Sequence, residues 1–187
     1  MSQINPKTVH GVLLSVFDKG VLLTGKSGVG KSEVALSLID RGHSLIADDI
    51  VEFSVQNENK STILQGSCPA MLKDFLEVRG LGILPIRKLF GDKAIQTYKR
   101  LDLIVEIIDG PDQRDADRIH GQHSMFELFG VTVAKVGIPV NPGRPLCVLV
   151  ESAVRLYQLS QTGYDASEEF IQRSESALYT TREPYDC

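Results

Sequence analysis

The sequence predicts an α/β domain with a mixed, partly antiparallel sheet closed by two C-terminal helices. Three observations carry that expectation. A glycine-rich loop sits between a short apolar strand and a helical pattern, strand-like segments outnumber what a simple β-α-β alternation needs, and two helical runs end the chain. At 187 residues the chain is about one domain by length. No repeat, low-complexity tract or linker divides it, so residues 1–187 are expected to form a single domain.

Residues 9–17 and 20–24 read as short strands on either side of a turn at Asp18-Lys19-Gly20. Between residues 31 and 41, Val34, Ala35, Leu38 and Ile39 recur at helical spacing, and Gly42 supplies the C-terminal stop. Residues 44–47 form a strand ending in Asp48-Asp49. The stretch "VEFSVQNENKSTILQG" alternates around a polar NENK turn, which is a hairpin pattern. "LEVRGLGILPI", residues 76–86, reads as a bulged core strand that Gly80 and Gly82 interrupt. Residues 101–108 and 131–140 are strand-like. Pro142-Gly143 breaks the chain, and residues 144–159 and 166–178 read as helices separated by Gly163.

Composition narrows the function classes. A formal net charge of −4 argues against a nucleic-acid partner, which would show as a basic surface. Cys68, Cys147 and Cys187 are widely spaced with no CxxC, so they fit buried or incidental thiols in a reducing compartment. The start, MSQINPKTVHGV, lacks a basic stretch followed by an apolar core, and no apolar run reaches the ~18 residues of a membrane span. The expectation is a cytoplasmic protein with no membrane partner.

Gly25, Lys26, Ser27, Gly28, Val29, Gly30, Lys31 and Ser32 fill the pattern GxxxxGK[ST], after the strand VLLT and before a helix. That context is what the pattern requires. Glycines let successive N–H groups turn inward around an anion, and the helix N-terminus adds the positive end of its dipole. Lys31 then reaches the β- and γ-phosphates of a nucleotide, and the Ser32 hydroxyl is placed for Mg²⁺. The loop implies a bound nucleoside triphosphate such as ATP but does not choose an acceptor.

Other residues bear on that choice. Asp48 and Asp49 follow a strand whose end falls beside the loop in a doubly wound arrangement. Neighbouring side chains at a strand end point apart, so one acid can face the metal while the other faces an acceptor hydroxyl. A solvated acidic turn is the plainer reading. Asp109, at the end of "LDLIVEIID", is a rival metal acid, and spacing alone does not rank it against Asp48 and Asp49. Glu77 is a candidate metal ligand and Arg79 a structural or phosphate partner. His10 stands at a strand end, Arg118 in a loop, and "IPVNPGRP" either binds an anion or turns the chain.

Together the stretches "VHGV", "GKSGVGKSE", "RGHSLIADDIVE", "LEVRGLGI" and "IPVNPGR" resemble the catalytic domain of the bacterial HPr kinase/phosphorylase family, from about His10 to the closing helices. The resemblance implies a P-loop nucleotide-binding fold akin to that of phosphoenolpyruvate carboxykinase, usually assembled as a hexamer. It implies ATP- and Mg²⁺-dependent phosphorylation of a serine of the phosphocarrier HPr. It also implies the reverse attack of inorganic phosphate on phosphoserine-HPr, giving pyrophosphate. Residue by residue, Gly25 to Ser32 would bind ATP, Ser32 and Glu77 would hold the magnesium, and Asp49 would exchange the seryl proton with Asp48 in support. His10, Lys31 and Arg118 match further catalytic positions. Residues 76–85 would serve both directions and residues 139–144 the reverse one.

Two departures stand out. Long members carry a separate N-terminal domain, whereas His10 lies almost at the start here, as in short members. The loop that often reads VRPGR has Asn141 for its first arginine, which removes a cation from the phosphorolysis segment. A kinase of a small metabolite and a non-catalytic, ATP-responsive partner protein are the competing readings.

Overall fold

Every residue of the run Val12–Val16 is buried, which a strand achieves only when both of its faces are covered. The computed structural model describes residues 7–58, 61–110, 119–141 and 143–180, the side chains of 178–180 excepted, and shows what covers them. The elements run β1 (Lys7–His10), β2 (Val12–Val16), β3 (Lys19–Gly25), α1 (Lys31–Asp40), β4 (Ser44–Ala47), β5 (Ile50–Glu58) and β6 (Ser61–Ser67). They continue with β7 (Phe75–Val78), β8 (Gly82–Pro85), α2 (Ile86–Phe90), β9 (Tyr98–Arg100), β10 (Leu103–Asp109), β11 (His123–Leu128), β12 (Val131–Val140), α3 (Leu146–Ser160) and α4 (Ala166–Thr180).

A six-stranded sheet, order β11-β12-β10-β3-β2-β4, lies between the helices and a four-stranded sheet, order β1-β5-β6-β9. Val12, Leu14, Val21 and Leu23 join Val34, Leu38, Val150 and Val154 in the helix-side core. Leu13 and Leu22 point the other way, onto Phe53 and Leu64 of the smaller sheet. Strands buried on both faces lose the polar alternation of a half-exposed strand, which is why β2 and β3 read as continuous apolar runs. The mixed sheet expected from the sequence is observed: β10 is parallel to β3 and β12, and β2 is antiparallel to β3 and β4.

The local signals hold where their chemistry is local. The end of α1 is capped as Gly42 implies: Gly42 has φ 94°, its N–H donates to Ile39 O at 2.9 Å, and His43 N–H donates to Leu38 O at 3.1 Å. The hairpin of β5 and β6 forms in the expected place. Among the described residues no helix is long and apolar enough to cross a membrane. Cys68 is half-buried, and burial pushes its thiol up to about 11, so it is inert as a nucleophile at neutral pH; Cys187 lies outside the described residues.

Three expectations need correction. Residues 9–17 are two strands in different sheets, because the chain crosses between layers at Gly11, where a Cβ would stand 2.6 Å from Leu23 O. The first turn is Phe17-Asp18, with φ of 47° and 63° and Val16 paired to Lys19, a two-residue hairpin of the left-handed kind. Phe17 holds that conformation through tertiary contacts: its ring packs edge-on to His43 at 4.8 Å and carries the Arg155 guanidinium at 4.2 Å. "LEVRGLGILP" is a two-stranded hairpin, β7 and β8, turning at Arg79-Gly80-Leu81. Gly80 and Gly82 adopt φ of 86° and 83°, so here glycine marks a reversal of the chain instead of a bulge.

Candidate active site

Strand directions decide where the chemistry collects. Since β2 opposes both β3 and β4, and β10 parallels β3, the C-terminal ends of β3, β4 and β10 reach one edge of the six-stranded sheet, where β2 begins. Gly25, Asp48-Asp49, Asp109 and the His10-Gly11 corner therefore share that edge. In open α/β sheets, ligands bind at such an edge, outside the carboxyl ends of the strands.

The glycine loop leaves β3 and enters α1. Gly25 pairs with Ile107 of β10, and its φ of 135° with the nearby Ile107 carbonyl leaves no room for a Cβ. Gly28 and Gly30 follow with φ of 79° and 99°. Gly30 is the N-cap of α1 and no side chain caps the helix, so the leading N–H groups meet no side-chain acceptor. This is the cradle a phosphate fits. The Lys31 ammonium donates to the carbonyls of Gly25 at 2.9 Å and Lys26 at 3.0 Å, which keeps it on the loop. Ser32 follows it in the first turn of α1.

Asp48 and Asp49 form the corner where the chain leaves β4 for β5. Ile50 N–H donates to Asp48 O at 2.8 Å, a three-residue turn that puts Asp49 at φ 62°. Asp tolerates the left-handed region better than most residues. Gly11 N–H ties the corner down by donating to Asp49 O at 3.1 Å. The two acids diverge as strand-end neighbours should. Asp49 points into solvent with Oδ1 3.5 Å from His10 Nδ1, their side chains 71% and 84% exposed. Asp48 is buried and its Oδ2 accepts the Glu77 N–H at 2.9 Å.

Burial raises the Asp48 carboxyl above the usual aspartate range, against the hydrogen bonds from the Glu77 and Asp49 N–H groups, and the Asp49 and Glu77 charges push the same way as burial. Asp48 thus feels the charge of two neighbouring carboxylates, which a divalent cation beside it would offset. Among the described residues no three His, Cys, Asp or Glu side chains converge to hold a metal by themselves. Mg²⁺ suits that arrangement, because it binds through one or two carboxylates plus phosphates and water. The raised value also has a thermodynamic sign. The folded state holds this proton more tightly than the unfolded one, so stability falls as pH rises from the ordinary aspartate value through the raised one. Asp48→Asn, whose Oδ1 still accepts from Glu77, is expected to lose that limb. Thermal melts across pH check it, and superimposable profiles of wild type and variant would contradict it.

The structure brings together His10, the glycine loop, Lys31, Ser32, Asp48, Asp49 and Glu77. Asp109 also ends a strand at this edge, exposed. Arg118 and Pro142 lie outside the described residues. In the segment 139–144, Arg144 donates to Pro139 O at 3.3 Å and its N–H to Asn141 O at 3.1 Å. Sequence reasoning missed the brace behind the site. Glu151 of α3, 8% exposed, accepts Arg41 Nε at 2.8 Å and Nη2 at 2.6 Å and contacts His43 Nε2 at 3.0 Å. Arg41 and His43 join α1 to β4, so this cluster fixes the two elements that carry the loop and the acids.

Known proteins share this sequence and fold. A family model described as the HPr serine kinase C-terminal domain matches residues 3–174. HPr kinase/phosphorylase of Aromatoleum aromaticum is 49% identical over 172 residues, covering 91% of this chain and 54% of the relative. That of Chromobacterium violaceum is also 49% identical over 172 residues, covering 91% of this chain and 53% of its own length. The chain thus spans about half the length of the curated relatives it matches. The solved HPr(Ser) kinase/phosphatase from Coxiella burnetii superposes with a TM-score of 0.75 at 35% identity, over 88% of this chain and 98% of that one. Loop, paired acids and hairpin thus occur on a fold shared with these enzymes, and the chain belongs to the HPr serine kinase C-terminal domain family.

Proposed function

We propose that the protein transfers the γ-phosphoryl group of ATP to a serine hydroxyl of the phosphocarrier HPr. In the reverse direction orthophosphate attacks phosphoserine-HPr, releasing the serine and pyrophosphate. One observation carries the reading: of two adjacent acids at the edge where the glycine loop begins, Asp48 is buried while Asp49 is held out toward solvent beside His10. An exposed carboxylate is open to a protein substrate, and the names of the relatives supply HPr as that substrate.

Positioning and charge neutralisation supply most of the rate in phosphoryl transfer. Gly25 to Ser32 seat the nucleotide, and Lys31 offsets charge on its phosphates. Asp49 accepts the seryl proton as the oxygen attacks phosphorus and, in reverse, returns a proton to the leaving oxygen. His10, 3.5 Å away, orients the Asp49 carboxylate. Ser32, Glu77 and Asp48 are the residues that would hold Mg²⁺, which when bound neutralises charge developing on the phosphates. Large apolar side chains left exposed on β11 (Met125, Phe126), α3 (Leu156, Leu159) and α4 (Phe170) fit burial between copies of the chain, and the homohexamer is the assembly that the family resemblance implies.

Incubation with γ-labelled ATP, Mg²⁺ and HPr is expected to label a serine of HPr, and added orthophosphate to release that label as pyrophosphate. ATP binding without label on HPr, or label on a small metabolite instead, would overturn the assignment.

A further inference from the structure

We infer that Glu151 is a positioning residue for phosphoryl transfer: it grips the chain on both sides of Gly42 and so sets how far the nucleotide loop stands from the acid pair. The inference rests on the proposed transfer from that loop to a serine beside Asp49.

Donor and acceptor groups sit at the free ends of two arms that share one joint. The first arm is α1, 10 residues long, or about 15 Å at the helical rise. It carries the glycine loop at its N-terminus. The second arm is β4, Ser44–Ala47, which runs back to Asp48-Asp49 at the same edge. Arg41, Gly42 and His43 connect the two. Nothing packs at the middle of this joint: Gly42 takes φ of 94°, and a Cβ on it would meet no atom within 4 Å. The bonds that cap α1 reach only as far as His43. Beyond that point β4 is the outer strand of the six-stranded sheet, and its pairing with β2 shifts register between Leu13 and Leu14. Its outer side meets a bridge from Leu45 to Ile95 and a bond from Ser44 Oγ to Lys93 O at 2.8 Å.

Glu151 grips this joint from α3. Its Oε2 accepts Arg41 Nη2 at 2.6 Å, while Oε1 accepts Arg41 Nε at 2.8 Å and stands 3.0 Å from His43 Nε2. One carboxylate thus holds the residue before Gly42 and the residue after it. The fork to Arg41 is bidentate, which fixes direction as well as distance. His43 is buried with the Phe17 ring edge-on at 4.8 Å, so packing holds its imidazole toward Glu151. Leverage carries the joint into the chemistry. A change of about 4° at one end of an arm about 15 Å long moves the other end by about 1 Å. Misplacing reacting groups by about 1 Å costs about 10²-fold. The loop and the acid corner keep their own shapes, because Lys31 bonds to the loop carbonyls and the Asp49 turn closes on Asp48 and Gly11. Releasing the joint therefore spares the binding of nucleotide and slows the transfer.

The test compares Glu151→Gln and Arg41→Gln with a control, Val133→Ala, which opens the core on the small-sheet side of β12, away from both arms. Transfer to HPr is measured as kcat per folded molecule, the folded fraction being read by circular dichroism. Equilibrium binding of the non-hydrolysable β,γ-imido analogue of ATP with Mg²⁺ is measured beside it. Glu151→Gln is expected to lose about tenfold to hundredfold in kcat while binding the analogue within about twofold of wild type. Arg41→Gln leaves the His43 contact in place and is expected to show the same pattern with a smaller loss. Its side chain is 46% exposed, so it serves where Glu151→Gln does not fold. Val133→Ala, although less stable, is expected to keep the wild-type kcat per folded molecule. Wild-type kcat per folded molecule in the cluster variants would overturn the inference and leave a brace for stability alone. Equal losses of kcat and of nucleotide affinity would overturn it too, since Glu151 would then act on the loop itself. Absence of transfer to HPr by the wild type would overturn the functional reading, and this inference with it.

Discussion

Asp49→Asn is expected to lower phosphoryl transfer to HPr by about 10²–10⁴-fold, the range of a lost general base, with nucleotide affinity held within about twofold. The substitution is chosen to isolate one property. Asn is isosteric, tolerates the left-handed φ of 62° at this corner, and leaves the Ile50–Asp48 and Gly11–Asp49 backbone bonds in place. Its carbonyl oxygen still faces His10. Only the capacity to accept a proton is removed. Steady-state kcat beside equilibrium binding of nucleotide checks it, and normal transfer by the variant would refute the assignment. Asp49→Gly adds a control: glycine relieves the positive φ, so its melting temperature is expected to match or exceed that of wild type while transfer stays lost.

The second large effect falls on stability. Glu151→Ala is expected to lower the unfolding free energy by about 2–3 kcal/mol, below the full cost of breaking a buried ion pair because Arg41 keeps partial access to water. The Arg41 side chain is 46% exposed and that of Glu151 11%. The deletion leaves His43 buried without its partner and uncouples α3 from the junction of α1 and β4. The Arg41 guanidinium, helped by His43, holds the Glu151 carboxyl down at about 2. A depressed carboxylate contributes stability that is present above its unfolded value and is lost as pH falls toward the folded one. Wild type is therefore expected to lose this contribution between the ordinary glutamate range and about pH 2, and Glu151→Ala to lack that acid limb. Urea melts at neutral and acid pH measure both, and an unchanged midpoint at neutral pH would contradict the brace.

What the sequence discloses follows the range of the interactions. The glycine loop is legible because its chemistry is contained in eight neighbouring positions and its flanks are a strand and a helix. Gly42 ends α1 through bonds that span only residues 38–43. The pair Asp48-Asp49 is legible as a candidate, but the division between a buried anchor and an exposed base depends on Glu77, twenty-nine positions away. Arg79 and Gly28 meet only because β7 and β8 fold as a hairpin, and the single-strand reading of residues 76–86 hides that meeting. Glu151 lies 110 positions from Arg41. Nothing local marks it, since a glutamate in an apolar helix reads equally as a solvated side chain. The break of residues 9–17 at Gly11 escapes notice for a related reason: layers, not local propensity, decide where that strand changes sheet.

The most direct test is a crystal structure of the protein with Mg²⁺, the β,γ-imido analogue and HPr. It should place an Asp49 carboxylate oxygen within hydrogen-bonding distance of the acceptor serine hydroxyl, with that hydroxyl in line with the terminal phosphorus. An Asp49 carboxylate turned away from both, with another group contacting the serine, would contradict the account.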